Sequence, residues 1–116
     1  MWKLVTPQLP VADVAEAQAY YRDVLGFEIG WTQASFGAVH HGGTEIFFRR
    51  AERPEPPAWC CVRVENADQL YAVYRERGVE ITEPIGDKPW GMREVTIWDP
   101  DGNLLRAGQE LPLADD

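Results

Sequence analysis

The sequence predicts an α+β fold in which two tandem βαβββ modules form a curved mixed sheet with a concave cup. The two halves share an order of elements, share a short stretch of sequence, and are separated by a proline-rich connector. The shared stretch reads YYRDVLGFEI at 20–29 and VYRERGVEI at 73–81, a match with one residue deleted. Together these features indicate duplication. Because strands twist, each sheet curls, and two curled sheets side by side leave a hollow suited to a ligand.

The first half contains a helix in ADVAEAQAYYRDVLG, residues 12–26. Asp13 is a suitable N-cap, and Glu16 three residues later completes a capping box. Apolar residues recur at helical spacing, and Gly26 ends the helix because glycine accepts a left-handed conformation. The three strands expected after this helix are approximately FEIGW, FGAVH and EIFFRR.

The second half repeats the plan. It begins with a predicted strand, AWCCVRV. A predicted helix follows in NADQLYAVYRERG, capped by Asn66 and ended by Gly78. The last three predicted strands are VEIT, REVTIW and NLLRAG. The three prolines of AERPEPP exclude a central strand and indicate a connector. We therefore predict a single domain made of module 1 (1–50), a linker (51–57), module 2 (58–110) and a short acidic tail (111–116).

Length and charge narrow the class of protein. A chain of 116 residues with 45% apolar residues is typical of one globular domain. Its net charge of −8 repels phosphate backbones, so we expect no nucleic-acid partner. The same charge would attract a cationic ligand, but taken alone it is better explained as an aid to solubility. The apolar runs are too short to span a bilayer, and the start lacks the features of a signal peptide. We therefore expect no membrane partner and a cytoplasmic location.

The two cysteines, Cys60 and Cys61, are adjacent. Neighbours in a strand point to opposite faces, so a disulfide between them would be strained. Their spacing is not that of a zinc site. We expect both to be core thiols in a reducing compartment.

The stretch KPWGMREVTIWDPDGN, residues 88–103, combines a strand with a strong turn signal in its last five residues. Glu94, Thr96 and Trp98 share one face of the strand, and the alternate residues share the other. Taken alone, this pattern predicts a hairpin with one face in solvent.

Longer stretches of the sequence resemble a known family. LPVADVAEAQAYYRDVLGFE and WGMREVTIWDPDGNLLRAG resemble the vicinal-oxygen-chelate superfamily, which includes glyoxalase I, extradiol dioxygenases and bleomycin-resistance proteins. AWCCVRVENADQLYAVY followed by KPWGMREVTIWDPDGN is most similar to the bleomycin-resistance branch. The resemblance covers nearly the whole chain and implies the glyoxalase/bleomycin-resistance fold.

The resemblance also implies where a metal would bind. Metal-dependent members hold a divalent ion with His, Glu or Gln at four positions, which here are Thr6, Glu45, Trp59 and Arg106. Only Glu45 is a competent ligand, because an indole offers no lone pair and a guanidinium is a permanent cation. A register shift that brings Gln8 onto the face of Thr6 leaves this problem unsolved. We therefore expect no metal and no cofactor, and we predict that Arg106 pairs with Glu45 across the cup.

Bleomycin-resistance proteins are homodimers that hold a cationic, aromatic glycopeptide in acidic grooves lined with aromatic side chains. The resemblance places aromatic groove positions at or near Trp31, Phe36, Trp59 and Trp90. Core or dimer packing is the structural alternative for each ring. For Trp90, in a predicted loop, we favour a place at the surface or the dimer interface. The predicted ligand-binding residues are Trp31, Phe36, Glu45, Phe47, Trp59, Trp90 and Arg106, and no catalytic residue is predicted.

The resulting prediction is a metal-independent, homodimeric protein that sequesters an aromatic, cationic small molecule in a dimer groove. One alternative is a metal-dependent enzyme of the glyoxalase or dioxygenase type, in which Glu45 works with Gln8, His40 or His41. The adjacent histidines face opposite ways, and we expect them to end a strand in solvent. A second alternative is an accessory or regulatory domain whose cup is filled by its own side chains.

Overall fold

The computed structural model describes residues 1–112, and the chain forms two compact units. The first unit comprises Met1–Ala58 together with Pro100–Asn103. The second comprises Trp59–Asp99 and residues 104–112 of the described chain. Each unit has the element order strand, helix and three strands. The predicted α+β fold of two βαβββ modules is therefore confirmed.

The first unit contains one four-stranded mixed sheet and one helix. The strand order is β1-β4-β3-β2, with β1 parallel to β4 and the other pairs antiparallel. The elements are β1 (Gln8–Val11), α1 (Val14–Asp23), β2 (Glu28–Thr32), β3 (Phe36–His41) and β4 (Thr44–Arg50).

Helix α1 begins and ends as the sequence predicts. The Asp13 carboxylate accepts a hydrogen bond from the Glu16 backbone N–H at 2.8 Å, which satisfies a donor that the first turn leaves free. Gly26 follows the helix with φ of 86°, a left-handed conformation in which a side chain would be strained. The buried face of α1, with Tyr21 fully enclosed, packs on the sheet of the first unit.

The second unit repeats this architecture, with strand order β5-β8-β7-β6, β5 parallel to β8 and the other pairs antiparallel. Asn66 caps its helix by accepting from the Gln69 N–H at 3.0 Å, and Gly78 follows it at φ 73°. The elements are β5 (Trp59–Arg63), α2 (Ala67–Glu76), β6 (Glu80–Lys88), β7 (Met92–Trp98) and β8 (Leu104–Glu110).

Three predictions need correction. Strand β6 continues to Lys88, well beyond the predicted VEIT segment, because it pairs with β7 up to the turn. The prediction of one solvent face on β7 is wrong, since Glu94 and Thr96 are buried. Cys60 is a core thiol and burial raises its pKa to about 11, but Cys61 is exposed because it points to the opposite face of β5.

Within residues 1–112, neither helix is both long and apolar enough to cross a membrane. The acidic tail predicted at 111–116 lies outside the described residues from position 113. The module and linker boundaries and the concave cup stay predictions.

Candidate functional site

Three of the predicted ligand-binding rings lie together on the sheet of the first unit. Trp31 on β2 stacks on Phe36 of β3, with ring centroids 5.5 Å apart and planes 18° apart. Phe47 on β4 lies 5.5 Å from each and is tilted by 57° and 56°. We call these three residues the aromatic trio. The Trp31 ring is 39% exposed, so the trio presents an aromatic surface to solvent.

A buried amide beneath the trio holds its strands in place. Gln18 of α1 is 1% exposed, donates to the Trp31 carbonyl at 2.9 Å and to the Ala38 carbonyl at 3.1 Å, and accepts from the Thr32 hydroxyl at 3.0 Å. Gly37 makes room for this side chain, because a Cβ there would lie 2.8 Å from the Gln18 amide nitrogen. Helix α1 thus fixes the backbone of β2 and β3, which carry Trp31 and Phe36.

Charged groups flank the trio along β4. Glu45 and Arg49 lie two residues on either side of Phe47 and therefore share its face. Glu45 is half-buried and accepts a hydrogen bond from the Thr6 hydroxyl at 3.5 Å. Arg49 forms a bidentate pair with Glu55 at 2.8 Å, and this pairing lowers the pKa of Glu55. The trio therefore has the acidic Glu45 at one end. At the other end, the charges of Arg49 and Glu55 neutralise each other.

The two histidines end β3, as predicted. His40 is half-exposed, with Nδ1 3.7 Å from a Glu28 carboxylate oxygen. His41 is exposed, and its ring centroid lies 5.7 Å from that of Phe27. Among residues 1–112, no group of three or more His, Cys, Asp or Glu side chains is close enough to hold a metal ion.

The other predicted residues lie in the second unit. The Trp59 ring on β5 is 57% exposed, and the Arg106 guanidinium of β8 lies over it, 5.2 Å from the ring centroid. This is a cation–π contact. Within the same unit, Nε of Arg106 lies 3.9 Å from Oε1 of Glu94. Glu83 is a second acidic neighbour, because its pKa is lowered mainly by Lys88 and also by the Arg106 charge. The pairing of Arg106 with Glu45 predicted from the sequence would join the two units, and it stays a prediction.

Trp90 occupies a tight turn between β6 and β7. The Gly91 N–H donates to the Lys88 carbonyl at 3.1 Å, and Gly91 adopts φ of 84°. The indole of Trp90 is 59% exposed, and its Nε1–H donates to Oε2 of Glu94 at 3.2 Å. Trp90 therefore lies at the surface of the chain, and its predicted place in a ligand groove or at a dimer interface stays a prediction.

Glu94 is the site residue that the sequence reasoning missed. It joins Trp90 and Arg106, although its side chain is only 9% exposed. Alternation along β7 places Glu94 on the face of Thr96 and Trp98, and the sequence predicts only that one face of this hairpin lies in solvent. The neighbouring Pro-Trp-Gly segment was the available signal, because a Trp in a turn at the end of a hairpin can fold back over its own strand.

Comparison with known proteins identifies the family. Residues 3–107 match the model of the Glyoxalase/Bleomycin resistance protein/Dioxygenase superfamily. The chain belongs to this superfamily. Among its relatives, a bleomycin resistance protein of Klebsiella pneumoniae is 31% identical over 119 residues, which cover 94% of each chain. The resemblance inferred from the two motif stretches is therefore confirmed.

Solved structures of the superfamily agree with the fold. The crystal structure of a bleomycin resistance determinant encoded on the transposon Tn5 has a TM-score of 0.83 and 26% identity, covering 94% of this chain and 98% of that one. The bleomycin-binding protein of Streptomyces verticillus, complexed with copper(II)-bleomycin, has a TM-score of 0.79 and 24% identity, covering 97% and 100%. At that identity the second likeness supports the fold alone.

Proposed function

We propose that this chain is a metal-independent binding protein that sequesters an aromatic, cationic small molecule without chemical change. The observation that carries this proposal is the aromatic trio of Trp31, Phe36 and Phe47 on the sheet of the first unit. Its relatives in the superfamily are bleomycin resistance proteins, and one neighbour in structure was crystallised with copper(II)-bleomycin.

The chemistry of the trio fits such a ligand. A flat aromatic group gains dispersion and quadrupole contacts when it is offset-stacked on a ring such as Trp31. A positive charge on the ligand is attracted by the ring face and by the half-buried Glu45, which lies on the same face of β4. The net charge of −8 adds a longer-range attraction for cations.

The second unit offers further ring surface. Trp59 and Trp90 are exposed by 57% and 59%, which is unusual for indoles. We propose that these exposed rings also line a groove in a homodimer, the arrangement that the resemblance to bleomycin-resistance proteins implies. In this proposal Arg106 and Trp59 belong to the lining of the groove.

The residues at the family's metal positions do not fit a divalent ion. Two of the four positions, Trp59 and Arg106, form a cation–π pair, and neither side chain offers an electron pair. The Thr6 hydroxyl donates a hydrogen bond to Glu45. Of the four side chains, the Glu45 carboxylate is then the only strong ligand for a metal ion. An enzyme of the glyoxalase or dioxygenase type is therefore the less supported function.

The proposal is tested by calorimetric titration of the chelator-dialysed protein with metal-free bleomycin and with other cationic, aromatic antibiotics. We expect saturable binding of at least one of them without added divalent metal. Trp31→Ala is expected to weaken that binding about 3- to 30-fold, the range of one cation–π contact. The control is Trp2→Ala, which removes an indole that is 92% exposed and outside the trio.

Two results would contradict the proposal. One is equal binding by wild type and Trp31→Ala. The other is an affinity that appears only after zinc, nickel, iron or manganese is added, which would favour the enzyme alternative.

A further inference from the structure

Strand β2 carries one residue more than its neighbour β3 beside the aromatic trio. Ile29 of β2 pairs with Val39 of β3. The next pair is Thr32 with Gly37, so β2 advances by three residues where β3 advances by two. The extra residue makes a β-bulge, a feature that turns the side chains beyond it to the other face of a sheet. The bulge lies in the interval that contains Trp31.

The bulge decides to which face Trp31 points. Because side chains alternate along a strand, a regular ladder would place Trp31 opposite Gly37. Gly37 faces helix α1, since a Cβ there would lie 2.7 Å from a side-chain carbon of that helix. The bulge instead places Thr32 opposite Gly37. It leaves Trp31 on the face away from α1, where its ring stacks on Phe36.

Gln18 of α1 bonds directly to the bulge. Its amide donates to the Trp31 carbonyl at 2.9 Å and accepts from the Thr32 hydroxyl at 3.0 Å. A third bond, to the Ala38 carbonyl at 3.1 Å, ties the same amide to β3. In a regular ladder Thr32 would face away from α1, and its hydroxyl would be out of reach of this amide. Gln18 is 1% exposed, so solvent would not replace the lost partner.

The Gln18 side chain also fills the space that the indole would need in a regular ladder. A Cβ at Gly37 would lie 2.8 Å from the Gln18 amide nitrogen, so this amide occupies the space between that part of β3 and α1. An indole of Trp31 turned toward α1 would have to displace it. Steric exclusion and hydrogen bonding therefore favour the same register of β2.

We infer that Gln18 is a positioning residue for ligand binding: it selects the bulged register of β2 and so keeps Trp31 on the binding face. This inference rests on the proposed function, in which the aromatic trio is the binding surface. Gln18 itself does not touch the ligand, because it is buried on the side of the sheet that faces α1. Its effect on binding therefore passes through Trp31.

The register is measured without a ligand, from nuclear Overhauser effects between the Trp31 indole and the Phe36 ring, whose centroids lie 5.5 Å apart. The Trp31 signals are assigned by their loss in Trp31→Phe. Gln18→Met keeps the length of the side chain and removes the three hydrogen bonds of the amide. We expect this variant to lose or strongly weaken the Overhauser effects between the two rings.

Asn103→Ala is the matched control for general destabilisation. It removes another fully buried amide of the first unit that hydrogen-bonds to backbone groups, at a position outside β2 and β3. We expect the Overhauser effects between Trp31 and Phe36 to be the same in this variant as in wild type. Thermal melting confirms that each variant is folded at the temperature of the measurement.

The consequence for binding is measured by calorimetric titration with metal-free bleomycin. We expect Gln18→Met to weaken binding about 3- to 30-fold, the loss expected for Trp31→Ala. The double variant is expected to bind no more weakly than Trp31→Ala alone, because two changes that remove the same contact are not additive. Asn103→Ala is expected to bind as wild type does.

Thr32 supplies the test if Gln18→Met does not fold. Thr32→Val removes the hydroxyl that donates to Gln18, while Thr32→Ser keeps a hydroxyl. We expect the Overhauser effects between Trp31 and Phe36 to weaken in Thr32→Val and to be restored in Thr32→Ser. Equal Overhauser effects in these two variants would overturn the inference.

Three results with a folded Gln18→Met would also overturn it: unchanged Overhauser effects, an equal loss of them in Asn103→Ala, or additive losses of affinity in the double variant. Failure of the inference is distinguishable from failure of the proposed function. Bleomycin binding that depends on Trp31 but not on Gln18 removes the inference alone. Overhauser effects that depend on Gln18, with no antibiotic bound by wild type, remove the proposed function and leave the control of the register by Gln18.

Discussion

The buried side-chain amide of Asn103 links three segments of the first unit by hydrogen bonds. Its side chain is fully buried, and its Nδ2 donates to the Pro10 carbonyl at 2.9 Å. Its Oδ1 accepts the backbone N–H of Ala58, also at 2.9 Å. All three residues belong to the first unit, so this amide ties the turn Pro100–Asn103 to the end of β1 and to the connector.

We predict that Asn103→Ala lowers the free energy of unfolding by about 1–3 kcal/mol, because it leaves the half-buried Pro10 carbonyl and Ala58 N–H without this partner. Urea unfolding followed by circular dichroism measures the change. Asp101→Ala is the matched control, because Asp101 lies in the same turn and accepts from the Ala12 N–H at 2.8 Å in an exposed setting. A smaller loss for Asn103→Ala than for the control would contradict the prediction.

The burial of Glu94 could not be predicted from the sequence. Residue type and strand alternation gave its face correctly, and the family resemblance supplied Trp90 and Arg106. Burial was not available from the pattern, because it depends on how the Trp90 turn and the Arg106 side chain fold over the carboxylate. Acidic residues are mostly exposed in proteins, but Glu94 is buried.

At the scale of elements, Arg93 joins a helix to two strands. This residue of β7 forms a bidentate pair with Asp68 of α2, with its closest contact at 2.9 Å, and bonds Asp87 of β6 at 2.7 Å. The hydrogen bonds from Arg93 lower the pKa of Asp68. The pair helps to orient α2 against the sheet of the second unit.

We predict that Asp68→Asn lowers the stability of the protein at neutral pH. Because the pKa of Asp68 is lower in the folded state than in the unfolded state, its contribution is present above the unfolded pKa and is lost as pH falls through the folded pKa. Urea unfolding at a series of pH values from neutral to strongly acidic measures this. The difference in free energy of unfolding between wild type and Asp68→Asn is expected to vanish at strongly acidic pH.

Glu76→Gln, in the same helix, serves as the control for removal of an acidic charge. If wild type and Asp68→Asn differ in free energy of unfolding by the same amount down to strongly acidic pH, the ion pair with Arg93 is not the cause of the difference.

At the scale of the whole molecule, the exposed indoles bear on assembly. Trp31, Trp59, Trp90 and Trp98 are all at least 39% exposed, although tryptophan is highly buried on average. A twofold interface would cover some of them and create two equivalent grooves. We therefore propose that the protein is a homodimer, which agrees with its resemblance to bleomycin-resistance proteins.

Sedimentation equilibrium at micromolar concentration is expected to give twice the chain mass, because burial of apolar ring surface favours association. Trp90→Glu is expected to shift the equilibrium toward monomer. Gln69→Glu, at an exposed position of α2, adds the same single negative charge and serves as the control. A wild-type protein that sediments as a monomer throughout the concentration range would contradict the dimer.

The sequence by itself determined the element order, both helix caps, the glycines that end the helices, and the family. These features depend on local backbone preferences and on motifs, which neighbouring residues carry. Tertiary structure alone decided that Trp31, Phe36 and Phe47 meet as a trio, that Arg106 lies over Trp59, and that Glu94 is buried. Such contacts join residues from different strands, so they follow from sheet register and side-chain packing, which no local pattern specifies.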